Sequence, residues 1–315
     1  MKFYCYLIFA FIGCRQSEQP TFSIKHLSVE LEEKILKTFK VRHGYLCLTE
    51  LGNTIYLTDA LELQPHLTTE KQHPIWIDIS IHTDTLVGTG IEVGDTSTYY
   101  FHSDSYSWLQ LDHIPASDPF FKDDRFTVEA CCFGEFGGAV FFNEENTGQL
   151  YSTPATCPLK LDRVGDELYL TNTLAHLGGL SQVVKITAPE HLYDLTQDTF
   201  RNHCNWWINY ATQENDYAEL QKYEIGTEIL LDTFSLITLT AFEYQLEYYL
   251  MTIDFHHTYL HRLVDNQLET IYRFTDLTLP HRNGFTKPLE DGFIYSFVNG
   301  FLQLSNNEIT LVTFL

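Results

Sequence analysis

The feature that most constrains this chain is a recurring strand–turn–strand unit, clearest across residues 126–195. Two successive copies share one plan. Residues 137–152 read GGAVFFNEENTGQLYS, and residues 166–186 read DELYLTNTLAHLGGLSQVVKI. Each begins with a run of β-branched and aromatic residues, passes through a Gly- or Asn-bearing turn, and returns in a second such run. A unit of this size cannot bury its apolar faces alone, so copies must stack. The pattern points to sheets packed face to face.

The remainder of the chain repeats the plan less regularly. The runs YLCL and TIYL, at residues 45–48 and 54–57, flank the turn Leu51-Gly52-Asn53. A second group occupies 75–79, 85–93, 98–101 and 108–111, with turn residues between its members. The central pair takes 126–133, 139–142 and 149–152, then 159–164, 167–172, 182–186 and 192–195. Strands resume at 227–231, 236–242, 246–255 and 259–264, and a last group takes 268–274, 292–298, 301–304 and 309–314. Residues 28–38 fit either a short helix or a first strand. Helical spacing of Phe200, Cys204, Trp207 and Ala211 behind an Asp198 cap predicts a short helical insertion near 198–212. The sum is about six four-stranded groups of roughly 40–50 residues, the period of propeller blades. The expected fold is therefore all-β, a six-bladed β-propeller. Five or seven blades and a two-sheet sandwich are the alternatives. The abundance of Phe and Tyr (15% of residues are aromatic) fits strands, and two Met argue against a helical bundle.

The N-terminus carries a separate message. Lys2 precedes a short apolar run, residues 3–12, too short to span a bilayer. The run ends in Phe11-Ile12-Gly13-Cys14, the form of a bacterial lipobox with Phe in place of its usual Leu. This predicts a signal peptide over 1–13 and acylation of Cys14. Residues 14–27 are then the lipidated Cys and a flexible tether, and 28–315 a single propeller domain.

Five further cysteines remain: Cys47, Cys131, Cys132, Cys157 and Cys204. Their odd number and the lack of CxxC indicate neither a zinc ribbon nor a tidy disulfide framework. Most read as buried small hydrophobes, with one disulfide, involving Cys157, compatible with an oxidising compartment. The formal net charge of −23 repels phosphate backbones, so no nucleic-acid partner is expected.

The lipobox ending at Cys14, FFNEENTGQLYSTPATCP (141–158), YLTNTLAHLGG (169–179) and TEILLDTF (227–234) together resemble the six-bladed propeller lipoproteins of Gram-negative bacteria. The resemblance implies a cell-envelope location, by lipid anchoring at the periplasmic face or cell surface. It implies no single activity.

Candidate chemistry is sparse. In residues 172–179, Asn172 and His176 accompany the pair Gly178-Gly179, placing His176 on a rim loop as an acid, base or ligand. Glu135 lies in the Gly-rich turn FGEFGG, which precedes a strand and so does not cradle phosphate. Arg201, His203 and Trp206 sit on the helical insertion beside Trp207, where one Trp ring is free to face a sugar. His256, His257 and His261 are clustered, but a strand does not give them a shared ligand face, so no metal site is expected. GxSxG, HExxH, the Walker loop and the EF-hand loop are all absent. The reading is a monomeric, membrane-anchored propeller scaffold without a cofactor, binding a carbohydrate, a peptide or an envelope protein. The alternative is a hydrolase or lyase acting on polysaccharide, with its site at the propeller's central channel.

Overall fold

The computed structural model describes residues 22–65, 67, 75–82, 85–92, 95–102, 104–111, 118–134, 137–176, 178–196, 225–274, 279 and 284–315. Within these, six sheets follow one another along the chain. Sheet I holds β2 (Ile35–Val41), β3 (Gly44–Thr49) and β4 (Thr54–Leu57). Sheet II holds β5 (Ile75–His82), β6 (Thr85–Glu92), β7 (Asp95–His102) and β8 (Ser107–Gln110). Sheet III is built on β9 (Phe121–Lys122), β10 (Phe126–Cys132), β11 (Gly138–Glu144) and β12 (Leu150–Ala155). Sheet IV begins with β13 (Pro158–Val164), β14 (Glu167–Leu174) and β15 (Leu180–Ile186). Sheet V is β18 (Ile237–Tyr244), β19 (Glu247–Ile253), β20 (Thr258–Val264) and β21 (Gln267–Phe274). Sheet VI is β22 (Phe285–Leu289), β23 (Gly292–Phe297), β24 (Gly300–Ser305) and β25 (Glu308–Phe314), extended by the N-terminal β1 (Ser23–Val29).

Sequence and packing agree most clearly in β19. Its residues EYYLMTI do not alternate between apolar and polar, and all but the first are buried. Tyr248 and Leu250 pack towards sheet IV, against Val183, Leu230 and Leu231. Tyr249 and Met251 point the other way, into a cluster with Phe293, Tyr295 and Leu302 of sheet VI. A strand covered on both faces needs apolar groups at every position. The same two-sided burial joins sheet I to sheet II through Phe39, Leu46, Trp76 and Trp108. It joins sheet III to sheet IV through Phe126, Val140, Leu161 and Leu170. Sheet VI meets sheet I through Ile294, Phe301, Ile35 and Cys47. The Thr38 amide also donates to Ser296 Oγ at 2.7 Å across this junction. The ends of the chain are clasped there too, since β1 runs parallel to β25 from Ser23↔Glu308 to Val29↔Phe314. The architecture is an all-β propeller.

Several expectations need adjustment. The first strand starts at Ser23, inside the stretch assigned to the tether and ahead of the domain boundary at residue 28. Residues 28–38 form no helix; they span the end of β1, a bend and the start of β2. The strand expected at 192–195 shrinks to β16 (Tyr193–Asp194) and pairs backwards with β12 of sheet III. Sheet IV is completed instead by β17 (Thr227–Phe234) against β15. The helical insertion expected near 198–212 lies outside the described residues. Strand β22 went unpredicted because Lys287 and Pro288 disguise a short run.

Candidate functional site

The junction of sheets IV and V has the most polar chemistry, and it differs at its two ends. Strand β18 is almost wholly buried whereas β21 is largely exposed, so in sheet V the first strand lies inward and the last outward. At the inner end, first strands β13, β18 and β22 meet around a cavity of about 290 Å³. Lys160, Asp162, Glu243, Tyr244, Phe293 and Asp291 are among its lining residues.

Alternation along β13 explains the cavity wall. Leu161 turns into the core shared with sheet III. Lys160 and Asp162, two residues apart, turn together towards sheet V. Lys160 Nζ pairs with Asp162 Oδ1 at 2.8 Å and donates to the Ala241 carbonyl at 2.7 Å. Tyr248 Oη donates to Asp162 Oδ2 at 2.9 Å and lies 2.7 Å from Thr171 Oγ1. Burial pushes the Asp162 carboxyl up despite the ammonium beside it. Burial and the Asp162 charge push the Tyr248 phenol well above its ordinary value. Glu243 accepts the Leu246 amide at 2.5 Å, bracing the turn into β19. Asp291 accepts from Ser305 Oγ at 2.7 Å and Asn306 Nδ2 at 2.9 Å. The inner end is thus a closed network whose charged groups are bonded.

At the outer end the two sheets part into an open cleft of about 580 Å³. One wall is Leu231, Asp232 and Thr233 of β17 with Leu236; the other is Asp254, Tyr259, His261, Asn266, Gln267, Leu268 and Thr270. Asp254 organises this second wall. Its Oδ1 accepts the amides of His256 (3.0 Å) and His257 (2.8 Å), and its Oδ2 accepts Tyr259 Oη at 2.8 Å. The Tyr259 ring stacks on His261 with centroids 5.3 Å apart. His261 is 6% exposed, with Nδ1 3.2 Å from Thr270 Oγ1 and Nε2 buried without a hydrogen-bond partner. Burial holds its pKa down at about 4, so the ring is neutral near pH 7.

The sequence candidates fall elsewhere. His176 is exposed on the β14–β15 connection, where Gly178 and Gly179 adopt φ of 114° and 88°. Asn172, expected at the end of its strand, lies within it, because β14 continues to Leu174, and it is buried. Its Nδ2 donates to Gln182 Oε1 at 3.0 Å, a cross-strand contact inside sheet IV. Neither residue lines the cavity or the cleft. Glu135, Arg201, His203 and Trp206, like Cys14, lie outside the described residues. The histidine cluster is dispersed: His256 and His257 occupy the turn before β20, His257 Nε2 meets Arg273, and His261 is inside the strand. No group of three metal-ligating side chains occurs among the described residues. Lys160, Asp162 and Tyr248 were missed, although two charges flanking Leu161 in a strand are a legible sign of a polar inward face.

A disulfide does involve Cys157. It joins Cys132, at the end of β10, to the connection between β12 and β13, with the Cα atoms 4.6 Å apart. Cys47 is a fully buried thiol whose pKa burial raises to about 12.

Fold and site together define an all-β propeller with a hydrogen-bonded charge network at one end of a sheet junction and a polar cleft at the other. The sequence matches no family model and no curated protein. Solved structures similar to it include the soluble aldose sugar dehydrogenase of Escherichia coli (11% identity, 89% of this chain and 95% of that chain, TM-score 0.36). BamB from Moraxella catarrhalis is another (10% identity, 91% of this chain and 83% of that chain, TM-score 0.34). A third is a protein of unknown function from Desulfotomaculum acetoxidans (10% identity, 90% of this chain and 86% of that chain, TM-score 0.34). Likeness at this level transfers no activity or partner.

Proposed function

We propose that this chain is an extracytoplasmic lipoprotein of a Gram-negative envelope, anchored through acylated Cys14, whose propeller is a binding scaffold. The observation that carries the reading is the Cys132–Cys157 disulfide. Such bonds persist in oxidising compartments and are rare in the cytosol of mesophiles. The lipobox-like end of the apolar run at Cys14 supports the same location. The test is metabolic labelling with an alkyne fatty acid in a Gram-negative host. The native chain should take up label and fractionate with membranes, and Cys14→Ser should do neither. An unlabelled native chain overturns the anchor.

A hydrolase or lyase acting on polysaccharide is the second reading, and Asp162 favours it. A carboxyl pushed up by burial beside a second acid, Glu243, resembles a general acid with its partner. Reducing-end release from polysaccharides, abolished in Asp162→Asn with the fold intact, would establish it. No release by the native protein leaves the scaffold reading standing.

A further inference from the structure

We propose that the outer cleft between sheets IV and V is a binding site for a neutral saccharide segment. The inference rests on the scaffold reading and names the class of ligand. Three observations carry it.

The first is the unmatched nitrogen. His261 lines the cleft with one ring nitrogen held by Thr270 and the other unpaired in a buried position. A buried polar atom without a partner is costly to keep, and at a cleft wall it marks a place that a ligand group can complete. A hydroxyl suits either tautomer, because it both donates and accepts.

The second is the composition of the walls. Asp232, Asn266 and Gln267 are exposed and make no side-chain hydrogen bond among the described residues, leaving acceptors and amide donors for adjacent hydroxyls. No Lys or Arg is among the lining residues, while Asp232 and Asp254 both are. A phosphate, sulfate or uronate would meet negative charge without a counter-cation. Asp254 is saturated by two amides and Tyr259, so it holds the Tyr259–His261 stack in place.

The third is a pair of exposed aromatic rings, each next in sequence to a lining residue. Phe234 follows lining residue Thr233 and is 74% exposed; Phe255 follows Asp254 and is 46% exposed. Phe255 also has a φ of 71°, a conformation that bulky residues rarely adopt. Exposed rings next to hydroxyl-competent side chains match a pyranose, which offers C–H faces to rings and an equatorial belt of hydroxyls to amides and carboxylates.

The experiment titrates the full-length protein, in detergent, with cellohexaose, maltohexaose and N-acetylchitohexaose, and with hexagalacturonate as the anionic comparator. Heat and the NMR resonance of His261 Cε1 are followed together. At least one neutral hexasaccharide should bind saturably and move that resonance, and hexagalacturonate should not. Phe234→Ala and Phe255→Ala, both surface changes, should each raise Kd about tenfold or less, the range of a single ring contact. Gln267→Ala should weaken binding as well. His261→Leu should abolish the binding, and if it fails to fold, the three surface variants still decide the matter. The proposal falls if no neutral hexasaccharide moves the His261 resonance. It falls equally if the surface variants bind as the native protein does, or if hexagalacturonate binds as well as the neutral sugars. Each of these failures would leave acylation of Cys14 untouched.

Discussion

The inner and outer ends of the IV–V junction belong to the same two sheets yet treat polar groups in opposite ways. At the inner end, Lys160, Asp162, Tyr248 and Thr171 bond one another and the Ala241 carbonyl. At the outer end, His261 keeps an unpaired nitrogen, and Asp232, Asn266 and Gln267 face open space. Between the two ends Val183, Leu231, Ala241 and Leu250 form a dry core. A satisfied buried network fixes how two sheets meet, because every group lost leaves another unmatched. An unsatisfied set contributes nothing to the fold by remaining so, and its value lies in what can be added to it. The contrast separates structural polarity from polarity available to a ligand.

The largest effect should come from breaking the inner network. Asp162→Ala strands the Lys160 ammonium and leaves Tyr248 Oη with Thr171 alone. Removing one member of a buried pair costs about 3–5 kcal/mol. Lys160 is partly exposed, its side chain 26% accessible, so the low end of that range is expected. Replacing both partners, Lys160→Met with Asp162→Leu, should cost less than the sum of the single changes. Urea unfolding of the native protein, Lys160→Met, Asp162→Leu and the double variant measures this. Additive losses would mean that the two groups act independently, and the description of the inner end as a network would fail.

The outer end should reveal itself through pH. His261 has a folded pKa of about 4 against 6.5 for the free side chain. Above pH 6.5 both folded and unfolded chains carry a neutral ring, and this residue adds no slope. As pH falls below 6.5 the unfolded state takes up a proton that the folded state refuses, so stability declines until about pH 4. The loss should reach about 2 kcal/mol by pH 5. Other groups titrate with different signs. Burial favours a raised Asp254 pKa, but Tyr259 and the amides of His256 and His257 outweigh it and hold the carboxyl low. Asp254 therefore loses its contribution only as pH falls below the ordinary carboxylate range. Asp162, raised by burial, destabilises as pH rises from about 4 through its folded value, against the His261 slope. The difference between the native protein and His261→Gln isolates the histidine. Identical pH–stability curves for the two would show that His261 is not held neutral.

Much of the fold was legible because both-face burial leaves a direct trace. The apolar run of β19 and the turn-separated strands of sheets III and V announce themselves at the correct places. Where pairing leaves the order of the chain, the trace vanishes. Tyr193 and Asp194 pair backwards onto β12, and β17 joins β15 across a long gap in sequence. Nothing local in either segment encodes its partner. The sites were less legible still. His176 attracted notice through its glycines, yet those glycines serve the β14–β15 turn. His261 was visible only as one of three clustered histidines. Its distinction is the missing partner, which depends on Thr270 from the next strand and on burial beneath Tyr259. Cys157 was different: an oxidising compartment allowed a disulfide there, but its partner, Cys132, was fixed only by the fold.

The smallest effect on stability should come from the residue that most sharpens the comparison. Phe234 ends β17 with 74% of its surface exposed, so most of its ring stays in water after folding. The transfer of apolar area that makes a core Phe→Ala change cost about 3–5 kcal/mol therefore has little to act on. Phe234→Ser should change the unfolding free energy by no more than about 0.5 kcal/mol, the range of surface substitutions remote from packing. The contrast with Asp162→Ala is the point of the measurement. A polar residue at the inner end should matter more to the fold than a large aromatic residue at the outer end, against the ordinary order of hydrophobic burial. A loss above about 1 kcal/mol in Phe234→Ser would mean that the ring packs against the fold. The outer cleft would then be a structural seam like the inner end, and the distinction between them would collapse.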